Sequence, residues 1–180
     1  MVIGPAIAGR NNCHVPHKSL PESAARSEVI DALLVASRAM VAIAGRSLAD
    51  IDPDVTLPQS RTLVLLASRG PQRIIDIAED LGVAPSTATR MCDRLLRKGL
   101  LRRHRATADR REVKVSLTAA GRDLVAKVTE HRRAELARVV DAIPAAAHIH
   151  VAAGLKALND AVGEPTESDW WLIPTAHAEA

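Results

Sequence analysis

Apolar residues recur at helical spacing along most of this chain. Val29, Leu33, Ala36, Met40 and Ile43 form one stripe, and Ile30, Leu34, Val41, Ala44 and Leu48 form a second beside it. The spacing predicts a long helix over 21–51 that is apolar over so wide an arc that it needs cover on more than one side. Residues 50–58, with two prolines and three acids, read as a loop. Leu63, Val64, Leu66 and Ala67 then mark a short helix over 59–68. Ile74, Ile75, Ile77, Ala78 and Leu81 make an amphipathic run over 74–81, closed by a turn at Gly82 and Val83. Pro85 suits the first turn of the next helix, where N–H groups lack partners anyway, and Gly99 suits its left-handed end. Residues 112–117 alternate as a strand does. Thr118 is a good N-cap for a helix reaching residue 143, with Leu124, Val125, Val128, Leu136, Val139 and Val140 on one side. Pro144 ends it, and a last helix over 146–162 carries Ala147, Val151, Leu155, Leu158 and Val162.

Two helices joined by a tight turn and followed by a basic hairpin make a winged helix-turn-helix. The fold class is therefore mainly α with a small β-hairpin wing, a winged helix-turn-helix plus a helical dimerisation domain. The second helix divides by face: Ala88, Cys92, Leu95 and Gly99 make an inward stripe, leaving Ser86, Thr87, Thr89, Arg90, Asp93, Arg94 and Arg97 outside. Hydroxyls at the N-terminal end beside a guanidinium suit entry into a major groove, where Arg pairs bidentately with guanine. Arg90 is assigned to bases, and Arg94 and Arg97 to phosphates.

Charge sharpens this. Residues 84–112 hold nine cations (Arg90, Arg94, Arg97, Lys98, Arg102, Arg103, Arg105, Arg110 and Arg111) against three anions (Asp93, Asp109 and Glu112), a net +6. The 180-residue chain carries only +3, so the remainder is −3. Positive charge concentrated on one motif is the footprint of a phosphate-backbone binder. Composition adds that 47% of residues are hydrophobic while Phe and Tyr are absent, so the core is aliphatic and packed helices are favoured over a sheet sandwich. No apolar run approaches bilayer length, so a soluble protein with no membrane partner is expected, and two cysteines far apart in sequence fit a reducing cytoplasm with no structural disulfide.

The segment Asp109-Arg-Arg111, then Val115, Leu117-Thr118 and Gly121, fits the pattern Asp-x-Arg-x-x-x-Val-x-Leu-Thr-x-x-Gly. In this the chain resembles the multiple-antibiotic-resistance regulator (MarR) family. Ile77-Ala78-Glu79, Leu81-Gly82-Val83, Ser86-Thr87, Thr89-Arg90, Asp93-Arg94-Leu95 and Lys98-Gly99-Leu100 are similar to that family's helix-turn-helix. The resemblance covers about residues 28–162 in layout and 60–121 in motif. It implies that Arg111 reaches the minor groove, where a narrow groove's negative potential attracts arginine. It also implies that Asp109 braces the wing and Arg110 lies near phosphate, and Arg105 is counted with these DNA-contacting cations. It further implies a sequence-specific transcriptional regulator, expected to repress, that binds a pseudo-palindromic operator on double-stranded DNA. A small-molecule effector between reading head and dimer domain is the family's common means of release, and aliphatic pocket walls point to an apolar ligand or a non-functional pocket.

Surplus apolar surface on the first and last helices predicts an intertwined two-fold homodimer, with its recognition helices about one DNA turn apart. The chain is divided into an extension (1–20), a dimerisation helix and loop (21–58), the DNA-binding domain (59–118), dimerisation helices (119–163) and a tail (164–180). Cys13, His14 and His17 raise an alternative, a redox- or metal-responsive switch, but two or three ligands on a flexible arm do not complete a zinc site. No metal and no cofactor are assigned. Cys92 is read as packing, His131 as alone, and His148 and His150 as pointing to different faces. Trp170 and Trp171 are expected to pack onto the dimer domain or the partner chain. No nucleophile elbow, phosphate loop or metal-spaced cluster marks an enzyme.

Overall fold

The computed structural model describes residues 22–105 and 113–164. Its elements are α1 (Glu22–Ala49), α2 (Leu57–Arg69), β1 (Gln72–Arg73), α3 (Ile74–Leu81), α4 (Pro85–Arg97), β2 (Leu101–Arg105), β3 (Val113–Leu117), α5 (Ala119–Asp141) and α6 (Ala145–Val162). The chain forms two compact units, one ending at Arg38 and the other beginning at Ala39. In the first, the apolar stripes of α1 lie open, with Val29, Ile30, Leu33, Leu34 and Val35 all exposed.

The second unit is built on an aliphatic core. Leu63 and Leu66 of α2, Ile77 of α3, Cys92 and Leu95 of α4, Val115 and Leu117 of β3 and Leu124, Val125 and Val128 of α5 join in one buried cluster. Among the described residues no Phe, Tyr or Trp contributes to it, and close packing rests on aliphatic side chains from α2, α3, α4, β3 and α5. The strands form an antiparallel sheet in the order β1-β3-β2, with Leu101 opposite Leu117, Arg103 opposite Val115 and Gln72 also paired to Val115. The expected hairpin is thus joined by a third strand. Two residues are too few to show any alternation, so β1 leaves no trace in the hydrophobic pattern.

Local chemistry moves one predicted boundary. Pro58 lies inside α2 rather than in the preceding loop, because the helix starts at Leu57, two residues before the predicted 59. Thr56 and Gln59 form a capping box: the Gln59 N–H donates to Thr56 Oγ1 at 3.5 Å, and the Thr56 N–H donates to Gln59 Oε1 at 2.9 Å. Polar residues bonded in this way begin a helix before its first core contact.

The two helices of the helix-turn-helix end alike. At the end of α3, Gly82 is left-handed, its N–H donates to the Glu79 carbonyl, and the Val83 N–H reaches back to the Ala78 carbonyl. At the end of α4, Gly99 is left-handed at φ 69°, its N–H donates to Leu96 O, and the Leu100 N–H donates to Leu95 O. Both closures are Schellman motifs, which satisfy carbonyls that the helix end leaves open. Gly99 is therefore exposed beyond the helix, a correction to its place on the inward stripe. A left-handed residue leaves the helical track, so counting by 3.6 past it fails.

Thr118 then ties the wing to α5. Its hydroxyl accepts from the Gly121 N–H at 3.1 Å and donates to the Gly99 carbonyl at 2.6 Å. Its own N–H donates to the Leu100 carbonyl at 3.0 Å. The 23 residues of α5 run about 34 Å at 1.5 Å per residue. Toward its end Val139 and Val140 are exposed, and α6 buries none of its residues, leaving Ile149, Val151, Leu155 and Val162 open.

Candidate nucleic-acid interface

The candidate interface begins with how α4 is held. Ala88, Cys92 and Leu95 are fully buried and Met91 is 9% exposed, so one side is locked into the core. Spacings of four and three residues keep these groups on one face. The opposite face carries Ser86, Thr89, Arg90, Arg94 and Arg97, all exposed. Thr87, expected on that face, is half-buried, and its hydroxyl accepts from Arg90 Nη2 at 3.4 Å. Thr89 donates its hydroxyl hydrogen to the Pro85 carbonyl at 2.9 Å and keeps lone pairs for other donors. The N-terminus of α4 has no side-chain cap, since Ala84 precedes Pro85. Such an end carries a partial positive charge that favours an anion.

The remaining charges are partly tied down. Arg103 on β2 donates to Asp93 on α4 at 2.6 Å, a bond that couples wing and recognition helix. Sequence spacing could not pair residues ten apart on different elements. Lys98 Nζ lies 3.8 Å from Asp52 Oδ1. Among the described residues, Arg90, Arg94 and Arg97 make no ion pair. Arg94, Arg97 and Lys98 line a cleft shared with Asp54, Thr56 and Gln59 at the start of α2. Of the wing, Arg105 closes β2 and only its backbone is described; Asp109, Arg110 and Arg111 lie outside the described residues. So do Cys13, His14, His17, Trp170 and Trp171.

Cys92 is a packing residue by geometry, fully buried in the core cluster. Burial pushes its thiol up to about 11, with Asp93 adding to the rise and Arg103 opposing it. A thiol so rarely ionised is a poor nucleophile.

A cavity of about 530 Å³ lies between α2 and α5. Leu63, Val64, Leu124, Val125, Val128, Leu136 and Val140 supply apolar walls, and Arg61, Arg132, Asp141 and Glu164 add charge. The lining is therefore more polar than the aliphatic walls that composition suggested. Arg61 holds Glu164 through two bonds of 2.6 Å, which keep the Glu164 carboxyl below its usual range and raise the guanidinium. Arg132 differs. Burial lowers its pKa, and its Nε is, among the described residues, the buried side-chain nitrogen or oxygen without a hydrogen-bond partner.

With this geometry in place, comparison with known proteins decides the family. The MarR family sequence profile matches residues 55–113, from the capping box of α2 to the wing. A solved structure of RV1404 from Mycobacterium tuberculosis superposes with a TM-score of 0.75 at 43% identity, covering 82% of this chain and 99% of that one. The chain belongs to the MarR family. It is also 31% identical over 109 residues to an uncharacterised HTH-type transcriptional regulator, YfiV of Bacillus subtilis, covering 61% of this chain and 68% of that protein. The HTH-type transcriptional repressor MdtR of the same organism is 39% identical over 84 residues, covering 47% of this chain and 54% of that protein.

This MarR-family chain is a DNA-binding transcriptional regulator, and its relatives are regulators, not enzymes. No helix among the described residues is long and apolar enough to cross a membrane.

Proposed function

We propose that the protein is a repressor that grips a pseudo-palindromic operator as a homodimer. The carrying observation is the outer face of α4, where Ser86, Thr89, Arg90, Arg94 and Arg97 are exposed around an uncapped helix N-terminus. Arg90 reads bases. Arg94 and Arg97 hold phosphates, while Arg105, Asp109, Arg110 and Arg111 serve the wing. Repression is supported by the similarity to MdtR, itself named a repressor. Dimerisation is supported by the open apolar residues of α1 and of α6, since exposed patches this extended mark association surfaces.

The effector site is the cavity between α2 and α5. Its walls suit an apolar body, and the unpartnered Arg132 Nε suits one acceptor group on it. Binding there would favour one spacing of the two reading heads over another by differential affinity, weakening DNA binding. The test is a gel shift of the full-length protein on the DNA upstream of its own gene, with non-cognate competitor. A specific regulator should prefer its site by about 10³-fold or more. Equal competition by both DNAs would refute sequence-specific repression, and a monomer by light scattering would refute the two-headed grip.

A further inference from the structure

The end of α1 and the middle of α5 bring together three metal-ligating side chains that the reading head does not use. Asp50, His131 and Glu135 each offer one ligand atom, and these atoms all lie within 4.8 Å of one another. His131, which looked alone in the sequence, has its Nε2 3.1 Å from Asp50 Oδ2. The constellation is hidden because 81 residues separate this pair.

We infer that Asp50, His131 and Glu135 form a binding site for a divalent transition ion, with zinc the best match. His131 and Glu135 are four apart on α5 and so share one face of a rigid helix. Asp50 follows the last residue of α1, and its N–H donates to the Arg46 carbonyl at 3.0 Å, which fixes the turn that carries it. One imidazole nitrogen and two carboxylates are hard-to-borderline donors that Zn²⁺ accepts and that suit a divalent ion better than soft Cu(I). Three protein ligands with a water in the fourth position are an ordinary zinc arrangement. Asp50 and His131 are both partly open to solvent, which leaves room for that water. Ligands at about 2.0–2.2 Å from zinc sit roughly 3.3–3.6 Å from each other in a tetrahedron, so side-chain shifts of up to about 1.5 Å complete the set.

The surroundings supply one positioning group and one competing cation. Ser47, fully buried, donates its hydroxyl to Glu135 Oε2 at 3.3 Å and is a positioning residue that leaves Oε1 for the metal. Arg46 Nε stands 3.8 Å from Glu135 Oε1, largely exposed and with no hydrogen bond to it. It is a competing cation that a bound metal would displace.

The experiment is isothermal titration of zinc chloride into chelator-stripped full-length protein. A Cys13→Ser/His14→Ala/His17→Ala background removes the other cluster of ligand residues. One zinc per chain is expected. His131→Ala should weaken binding by more than the roughly 10- to 100-fold typical of losing a second-shell partner, Ser47→Ala by about 10-fold, and Arg46→Gln should strengthen it. Full affinity in a folded His131→Ala chain, or no zinc bound by the background protein, would overturn the site. X-ray absorption of the zinc-loaded background protein needs no change at the site: one imidazole with oxygen ligands is expected, and a shell without imidazole would also overturn it.

Discussion

Replacing Gly121 with Ala tests whether the wing and α5 are joined as described. An ideal Cβ on Gly121 falls well inside contact with the Leu100 carbonyl oxygen and carbon, and 3.2 Å from Leu117 Cδ2. The nearest obstacle is backbone, and that oxygen already accepts the Thr118 N–H at 3.0 Å. Moving it aside disturbs the Schellman closure of α4 and the N-cap of α5 together. Overpacking of this kind costs about 1–3 kcal/mol, and the lost cap about 1 more. Against this stands the intrinsic helical advantage of Ala over Gly, about 1 kcal/mol. The net is a loss of about 1–3 kcal/mol, which for a chain of this size lowers Tm by roughly 2–12 °C. Gly45→Ala is the control: its Cβ would meet only Leu57 Cδ1 at 4.0 Å, so the helical advantage should stand nearly alone and Tm should rise slightly. Thermal unfolding by circular dichroism at one fixed protein concentration reads both. A Gly121→Ala protein as stable as the parent would refute the close approach of α5 to the α4–β2 turn.

Other outcomes follow from the same geometry. If Arg94 and Arg97 each hold one phosphate, alanine at either should reduce the slope of log K against log salt by about 1, measured by fluorescence anisotropy, while sequence preference stays. In a Cys13→Ser background Cys92 is the sole thiol, and a disulfide reagent should leave it unmodified at pH 8 until denaturant is added; rapid labelling of the folded chain would contradict its burial. Glu164 is held below its ordinary pKa by Arg61, so its stabilising contribution is present at neutral pH and lost as pH falls through the lowered value. Urea unfolding of parent and Glu164→Gln chains should therefore differ at pH 7, by at most about 1 kcal/mol for a pair this exposed, and converge once the pH has fallen below the lowered value. A gap that grew on acidification would reverse the sign of this reasoning.

Much of the reading head was legible because its determinants are local. Pro85, Gly82 and Gly99 punctuate α3 and α4 through backbone conformation alone, and the Ala88, Cys92, Leu95 stripe faces the core because helical period fixes direction. Thr118 caps α5 because a hydroxyl needs only the next three residues. The start of α2 escaped because polar capping, not apolar period, sets it, and β1 escaped because it exists only through pairing with β3.

The sequence by itself determined the order of the helices, the family motif and the concentration of cations on one short segment, since each follows from neighbours along the chain. Only the tertiary structure decided that Arg103 reaches Asp93, that Arg132 lies against a cavity with its Nε unpartnered, and that His131 meets Asp50. Those pairings join residues from separate elements, and distance in space is set by how the elements pack, which no local spacing encodes.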